Sequence, residues 1–251
     1  MHTKQRIGQV SQRVIDSALY AEAINRAGQL RMLSQRLVKL HALVCARIRP
    51  EETRRLFAAS LGHVAGNLDS LGRSLSKPTF GGLLDAVLAP WAELRQALAT
   101  APRIDRLAEV DRLAEQVLLR AEQLTDNLEI AGFAAALRVI NVAGRQRMLS
   151  QRVAKAALMG ALLGGARASL ESATAELLDG FAYLQTLPLG NAEIGRKVGQ
   201  AAQAWAGLQA ALPQAGAAAG QDGIAGFSET LLASIDRLTE HLERGMQAMV
   251  R

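Results

Sequence analysis

Apolar residues recur at spacings of three and four along most of this chain. Leu107, Val110, Leu113, Val117, Leu118, Leu124 and Leu128 trace one such stripe, the pattern of a helix that buries one face. Turn signals divide the pattern into segments. A long first helix is expected over Gln5–Arg47, stopping at Arg49-Pro50 because a residue before proline is pushed out of the α conformation. The second covers Glu51–Leu75 and is closed by Lys77-Pro78; the third covers Phe80–Ala99, with Pro90 expected to bend or break it. The fourth opens after Ala101-Pro102, where the fixed φ of proline suits a first turn. Four more follow at Ala134–Leu163, Ala166–Thr186, Asn191–Leu212 and Asp222–Val250, separated by Gly164-Gly165, Pro188-Leu-Gly190 and the stretch from Pro213 to Gly226. The fold class is all-α.

The eight segments are two sets of four. Ile24-Asn-Arg-Ala-Gly-Gln-Leu-Arg-Met-Leu-Ser-Gln-Arg-Leu-Val-Lys39 and Ile140-Asn-Val-Ala-Gly-Arg-Gln-Arg-Met-Leu-Ser-Gln-Arg-Val-Ala-Lys155 agree at eleven of sixteen positions with an offset of 116. Trp91-Ala-Glu-Leu and Trp205-Ala-Gly-Leu follow at an offset of 114, and so do Leu124-Thr-Asp-Asn-Leu-Glu129 and Leu238-Thr-Glu-His-Leu-Glu243. Conserved order at a near-constant offset marks a duplicated structural unit. The expected architecture is therefore duplicated four-helix bundles, residues 1–131 and 132–251. Ile130-Ala-Gly-Phe133 between them has no proline and one glycine, which leaves open a long continuous central helix joining the bundles.

Composition supports this reading: 49% of residues are apolar and 4% aromatic, with helix formers dominant and β-branched runs scarce. No apolar run reaches the roughly 20 residues needed to cross a bilayer, and no secretory signal is recognisable. The chain is thus read as cytoplasmic, without membrane insertion. Cys45 is the only cysteine, which excludes an intrachain disulfide and a cysteine-rich zinc site. A formal charge of +6 permits attraction to nucleic acid, but the basic residues are dispersed among acidic ones, so direct nucleic-acid binding is disfavoured. The histidines at 2, 41, 63 and 241 form no metal motif, and the Glu-x-x-His pairs of di-iron bundles are missing. No enzyme activity, cofactor or metal is expected.

The repeated motif carries the candidate chemistry. Asn25, Gly28, Met32 and Gln35 fall on adjacent turns of one helix, as do Asn141, Gly144, Met148 and Gln151. Gly28 and Gly144 each lower helix propensity by roughly 1 kcal/mol relative to alanine, so their recurrence points to close packing of another backbone. Arg31 and Arg147 lie one turn later. If the motif helices face each other, the two guanidinium groups approach a midpoint where a planar oxyanion can accept paired hydrogen bonds from both. Arg36 and Arg152, five residues further on, project about 140° away and are expected to join neighbouring helices. Ser34, Ser150, Gln35 and Gln151 are expected to orient the guanidinium groups or line the cavity, with Met32 and Met148 in the core. A purely structural packing network is the competing account of all these polar groups.

At Ile24–Lys39 and Ile140–Lys155 the sequence resembles the N-terminal sensor domain of type IV pilus methyl-accepting chemotaxis transducers (PilJ-like), and is similar to nitrate- and nitrite-sensing input domains. In the nitrate-responsive relatives the arginine before the methionine holds nitrate between two equivalent helices. The resemblance implies that role for Arg31 and Arg147, with an internal pseudo-dimer replacing a dimer of chains. It also implies a non-enzymatic sensor of a small oxyanion, nitrate or nitrite, that passes its signal to a regulatory protein partner. Arg145 departs from the pattern, since the first copy has Gln29 there. A ligand-independent helical adaptor and a nucleic-acid-associated regulator are the alternatives.

Overall fold

The computed structural model describes residues 2–132, 135–186 and 192–248. Among them are eight α-helices: α1 (His2–Cys45), α2 (Pro50–Ser74), α3 (Lys77–Leu98), α4 (Leu107–Gly132), α5 (Ala135–Leu163), α6 (Arg167–Thr186), α7 (Ala192–Ala211) and α8 (Ala218–Ala248). They form two clusters, α1–α4 and α5–α8. In the first, α2 lies on α1 and α3 on α4; in the second, α6 lies on α5 and α7 on α8. The Pro188–Gly190 interruption expected from the sequence lies outside the described residues.

The helix α3 runs unbroken through Pro90, where the sequence led us to expect a bend or break. Proline removes one backbone hydrogen bond, but Phe80, Leu84, Val87, Trp91, Leu94 and Leu98 continue one buried stripe on both sides of it. Burial of such side chains is worth about 1.5–3 kcal/mol each, enough to hold the helix across the missing bond. Trp91 and Trp205 are both buried anchors of this kind. Polar groups under α2 are satisfied: Thr53 Oγ1 donates to the Ile48 carbonyl and Ser60 Oγ to that of Leu56.

A continuous central rod is not what α4 and α5 form. Phe133 and Ala134, at the junction, lie outside the described residues, but the helices on either side of it run antiparallel, side by side. Asn141 meets Glu129, Arg145 meets Glu122, Arg152 meets Glu115 and Lys155 meets Asp111. As one partner advances along α5 the other retreats along α4. The continuous helix loses because a rod would leave these buried or half-buried cations without their carboxylates.

The same pairing fixes how the halves meet. Asn25 reaches Glu243 and Arg36 reaches Glu229, so α1 is antiparallel to α8. Arg147 reaches Asp236 and Gln151 the Ser228 carbonyl, so α5 is antiparallel to α8 as well. The motif helices α1 and α5 are therefore parallel, and they pack on each other extensively. With α4 and α8 on their flanks, equivalent residues of the two copies stand at the same level.

Candidate functional site

The site lies between the parallel helices α1 and α5, at the level of Gly28 and Gly144. A Cβ placed on Gly28 would stand 3.2 Å from Arg31 Nη2 and 3.9 Å from Arg147 Nη2; one on Gly144 would stand 3.3 Å from Arg147 Nη2 and 3.8 Å from Arg31 Nη2. Both guanidinium ends thus occupy the space that two side chains would otherwise fill. The two arginines are 0% and 1% exposed, which is rare for a charged side chain without a partner.

Partners are present, and they are crossed. Arg31 Nη1 donates to Glu122 Oε2 of α4 at 3.1 Å, and its Nη2 donates to Asn141 Oδ1 of α5 at 2.7 Å. In mirror fashion Arg147 Nη1 donates to Asp236 Oδ1 of α8 at 3.1 Å and its Nη2 to Asn25 Oδ1 of α1 at 2.5 Å. Each asparagine passes the interaction on: Asn25 Nδ2 donates to Glu243 at 2.5 Å and Asn141 Nδ2 to Glu129 at 2.6 Å. The Nε atoms of both arginines are buried without an acceptor among the described residues. Burial pulls the Arg31 guanidinium below its ordinary value, against the opposing pull of Glu122. Burial likewise pushes the Glu243 carboxyl up.

Glu122 and Asp236 already supply countercharge to the two facing guanidinium groups. Ser34 and Ser150 do not reach the guanidinium groups. Their hydroxyls donate to the backbone carbonyls of Arg31 and Arg147, at 2.8 and 2.7 Å, a local bond that a helical serine makes readily. Gln35 and Gln151 sit beside these serines at 3.3 Å, each with a buried Oε1 that lacks a partner among the described residues. Met32 and Met148 are buried.

Arg36 and Arg152 tie the halves together. Arg36 forms a fork on Glu229 of α8, shared with Lys39 Nζ at 2.5 Å; Arg152 bonds Glu115 of α4 at 3.1 Å, shared with Lys155 Nζ at 2.6 Å. Burial raises the Glu229 carboxyl, but Lys39 and Arg36 outweigh it and hold the group at about 2. His41 is buried with Nε2 3.5 Å from the Arg103 carbonyl, and burial depresses its basicity.

Sequence reasoning missed the acidic half of this network and both lysines. A signal was available: Glu115, Glu122 and Glu129 recur as Glu229, Asp236 and Glu243 at the offset of 114. A carboxylate kept in both copies on an otherwise apolar stripe marks a buried partner for a cation.

A family model described as PilJ, the type IV pili methyl-accepting chemotaxis transducer N-terminal domain, matches residues 17–131 and again residues 135–249. The chain belongs to this family. No curated protein and no solved structure matches it. Each PilJ match contains one motif helix, so the internal repeat seen in the sequence coincides with two PilJ segments. PilJ domains are non-catalytic sensor-type domains. No cluster of metal-ligating side chains is found among the described residues, and no helix among them is long and apolar enough to cross a membrane.

Proposed function

We propose that residues 1–131 and 132–251 are paired sensor units that bind one small planar oxyanion, nitrate or nitrite, between α1 and α5. Arg31 and Arg147 are its ligands. The observation that carries this reading is the pair of buried guanidinium groups converging over two glycines, each with an Nε–H donor that meets no acceptor among the described residues. Charge-assisted bonds from a forked guanidinium to a planar oxyanion are strong and geometrically selective.

An entering anion competes with the Asn25 and Asn141 amide oxygens for the two Nη2 donors. Displaced amides loosen their ties to Glu243 on α8 and Glu129 on α4. Ligand occupancy thereby shifts the packing of α4 and α8 against the motif helices, and the altered surface is read by a regulatory protein. The size of that shift is limited by the difference in anion affinity between the two packings.

A thermal-shift screen over nitrate, nitrite, sulfate and chloride tests the reading, followed by calorimetry on the responding anion. Saturable binding of one ion per chain, lost in Arg31→Ala and in Arg147→Ala with helicity retained, is the expected result. No response to any oxyanion defeats it. The closed network of Nη bonds favours a second reading, a ligand-independent helical adaptor, which predicts a flat screen and capture of a protein partner.

A further inference from the structure

The two copies of the motif differ at five of sixteen positions, and one of these differences, Gln29 against Arg145, opens a groove. Arg145 of the second copy bridges two carboxylates, donating from Nη1 to Glu122 Oε1 and from Nη2 to Glu176 Oε2 at 3.1 Å. Glu122 therefore spends one oxygen on Arg31 and the other on Arg145. In the first copy Gln29 stands in place of Arg145 and accepts from Asn67 Nδ2 at 2.9 Å. Asp236, the counterpart of Glu122, gives Oδ1 to Arg147, and its Oδ2 has no partner among the described residues. Its side chain is 38% exposed, against 20% for Glu122.

Asp236 faces a cavity of about 440 Å³ between α1, α2 and α8, whose lining includes Gln29, Asn67 and Glu240 and whose apolar part is Met32, Leu33 and Leu232. Gly62 and Gly66 of α2 form part of its wall, and a Cβ on either would meet nothing within 4 Å. The two cations on the lining are committed elsewhere: Arg26 is held by Glu22 and Arg36 by Glu229. A cavity of this size suits a small molecule, and its open carboxylate oxygen occupies the place where the other half of the chain binds a guanidinium.

We propose that this groove is a binding site for a small organic cation, a guanidinium-bearing compound of about amino-acid size. Its head group takes at Asp236 the place that Arg145 takes at Glu122, and its methylene chain lies on Met32, Leu33 and Leu232. The internal repeat supplies the precedent, since the chain fills the equivalent groove with its own guanidinium. The site stands whether or not Arg31 and Arg147 hold an anion.

Calorimetry on the full chain with agmatine, L-arginine and the uncharged isostere L-citrulline tests it. Saturable binding of agmatine or arginine is expected, with citrulline weaker by at least about tenfold. Gln29→Arg places the repeat's own guanidinium in the groove and should abolish the binding. Gly66→Leu, which fills the groove from α2 and leaves every ion pair intact, should do the same if Gln29→Arg folds poorly. No uptake of either cation by the unaltered chain overturns the proposal. So does citrulline binding as tightly as arginine, or binding that survives both substitutions.

Discussion

Glu229→Gln should destabilise this protein far more than the equivalent change Glu115→Gln, although the two carboxylates occupy the same place in the repeat. Lys39 is fully buried, and its partners are Glu229 and the neutral Ser228 hydroxyl. Lys155 has two carboxylates, Asp111 and Glu115, each at 2.6 Å. Position 225, which corresponds to Asp111, is alanine. Removing Glu229 therefore strands a buried ammonium together with the nearly buried Arg36, whereas removing Glu115 leaves Lys155 an acceptor. Breaking a buried ion pair on one side costs about 3–5 kcal/mol; loss of one of two charged acceptors costs about 1.5–3 kcal/mol.

The titration of Glu229 gives an independent handle. Its carboxyl is displaced from 4.5 to about 2, a displacement worth about 3 kcal/mol. A group depressed on folding contributes stability that is full above the unfolded value and is lost as the pH falls through the folded one. The unaltered protein should accordingly lose stability between pH 4.5 and about 2, and Glu229→Gln should flatten that part of the profile. Urea unfolding at pH 7 and across the acid range, with the slope checked for two-state behaviour, measures both effects. Lys39→Met added to Glu229→Gln should recover much of the loss, because it removes the stranded charge. Equal costs for the two glutamates, or an unchanged acid limb in Glu229→Gln, would refute the reasoning.

Three further outcomes are expected. Arg145→Gln returns the whole of Glu122 to Arg31, so the proposed anion should bind several-fold more weakly (on the order of 1 kcal/mol for one altered charge interaction near the site), as read by calorimetry. Gly28→Ala gains roughly 1 kcal/mol of helix propensity but sets a methyl 3.2 Å from Arg31 Nη2; the melting temperature should change little while anion affinity falls at least about tenfold. Arg47 is exposed and sits at φ 58°, a left-handed conformation that costs a side-chain-bearing residue about 1–2 kcal/mol. Arg47→Gly should therefore raise the melting temperature, less the extra freedom glycine gives the unfolded chain, and a fall would count against this strain.

The amino-acid sequence by itself determined the all-α class, the two sets of four helices, and the pairing of Arg31 with Arg147 as equivalent positions. Those conclusions rest on local periodicity, turn chemistry and internal identity, each of which is written in the order of residues. The helix through Pro90 was not legible in this way, because burial of Trp91 and its neighbours overrides a local breaker only once α4 is beside them. Nor was the antiparallel return of α5 along α4, since a glycine and no proline suit a turn and a rod equally. The crossed bonds of Asn25 to Arg147 and Asn141 to Arg31, and the carboxylates beneath them, depend on which faces of four helices meet. A buried charge is tolerable only where a particular partner stands within hydrogen-bond reach, and that is decided in three dimensions by packing.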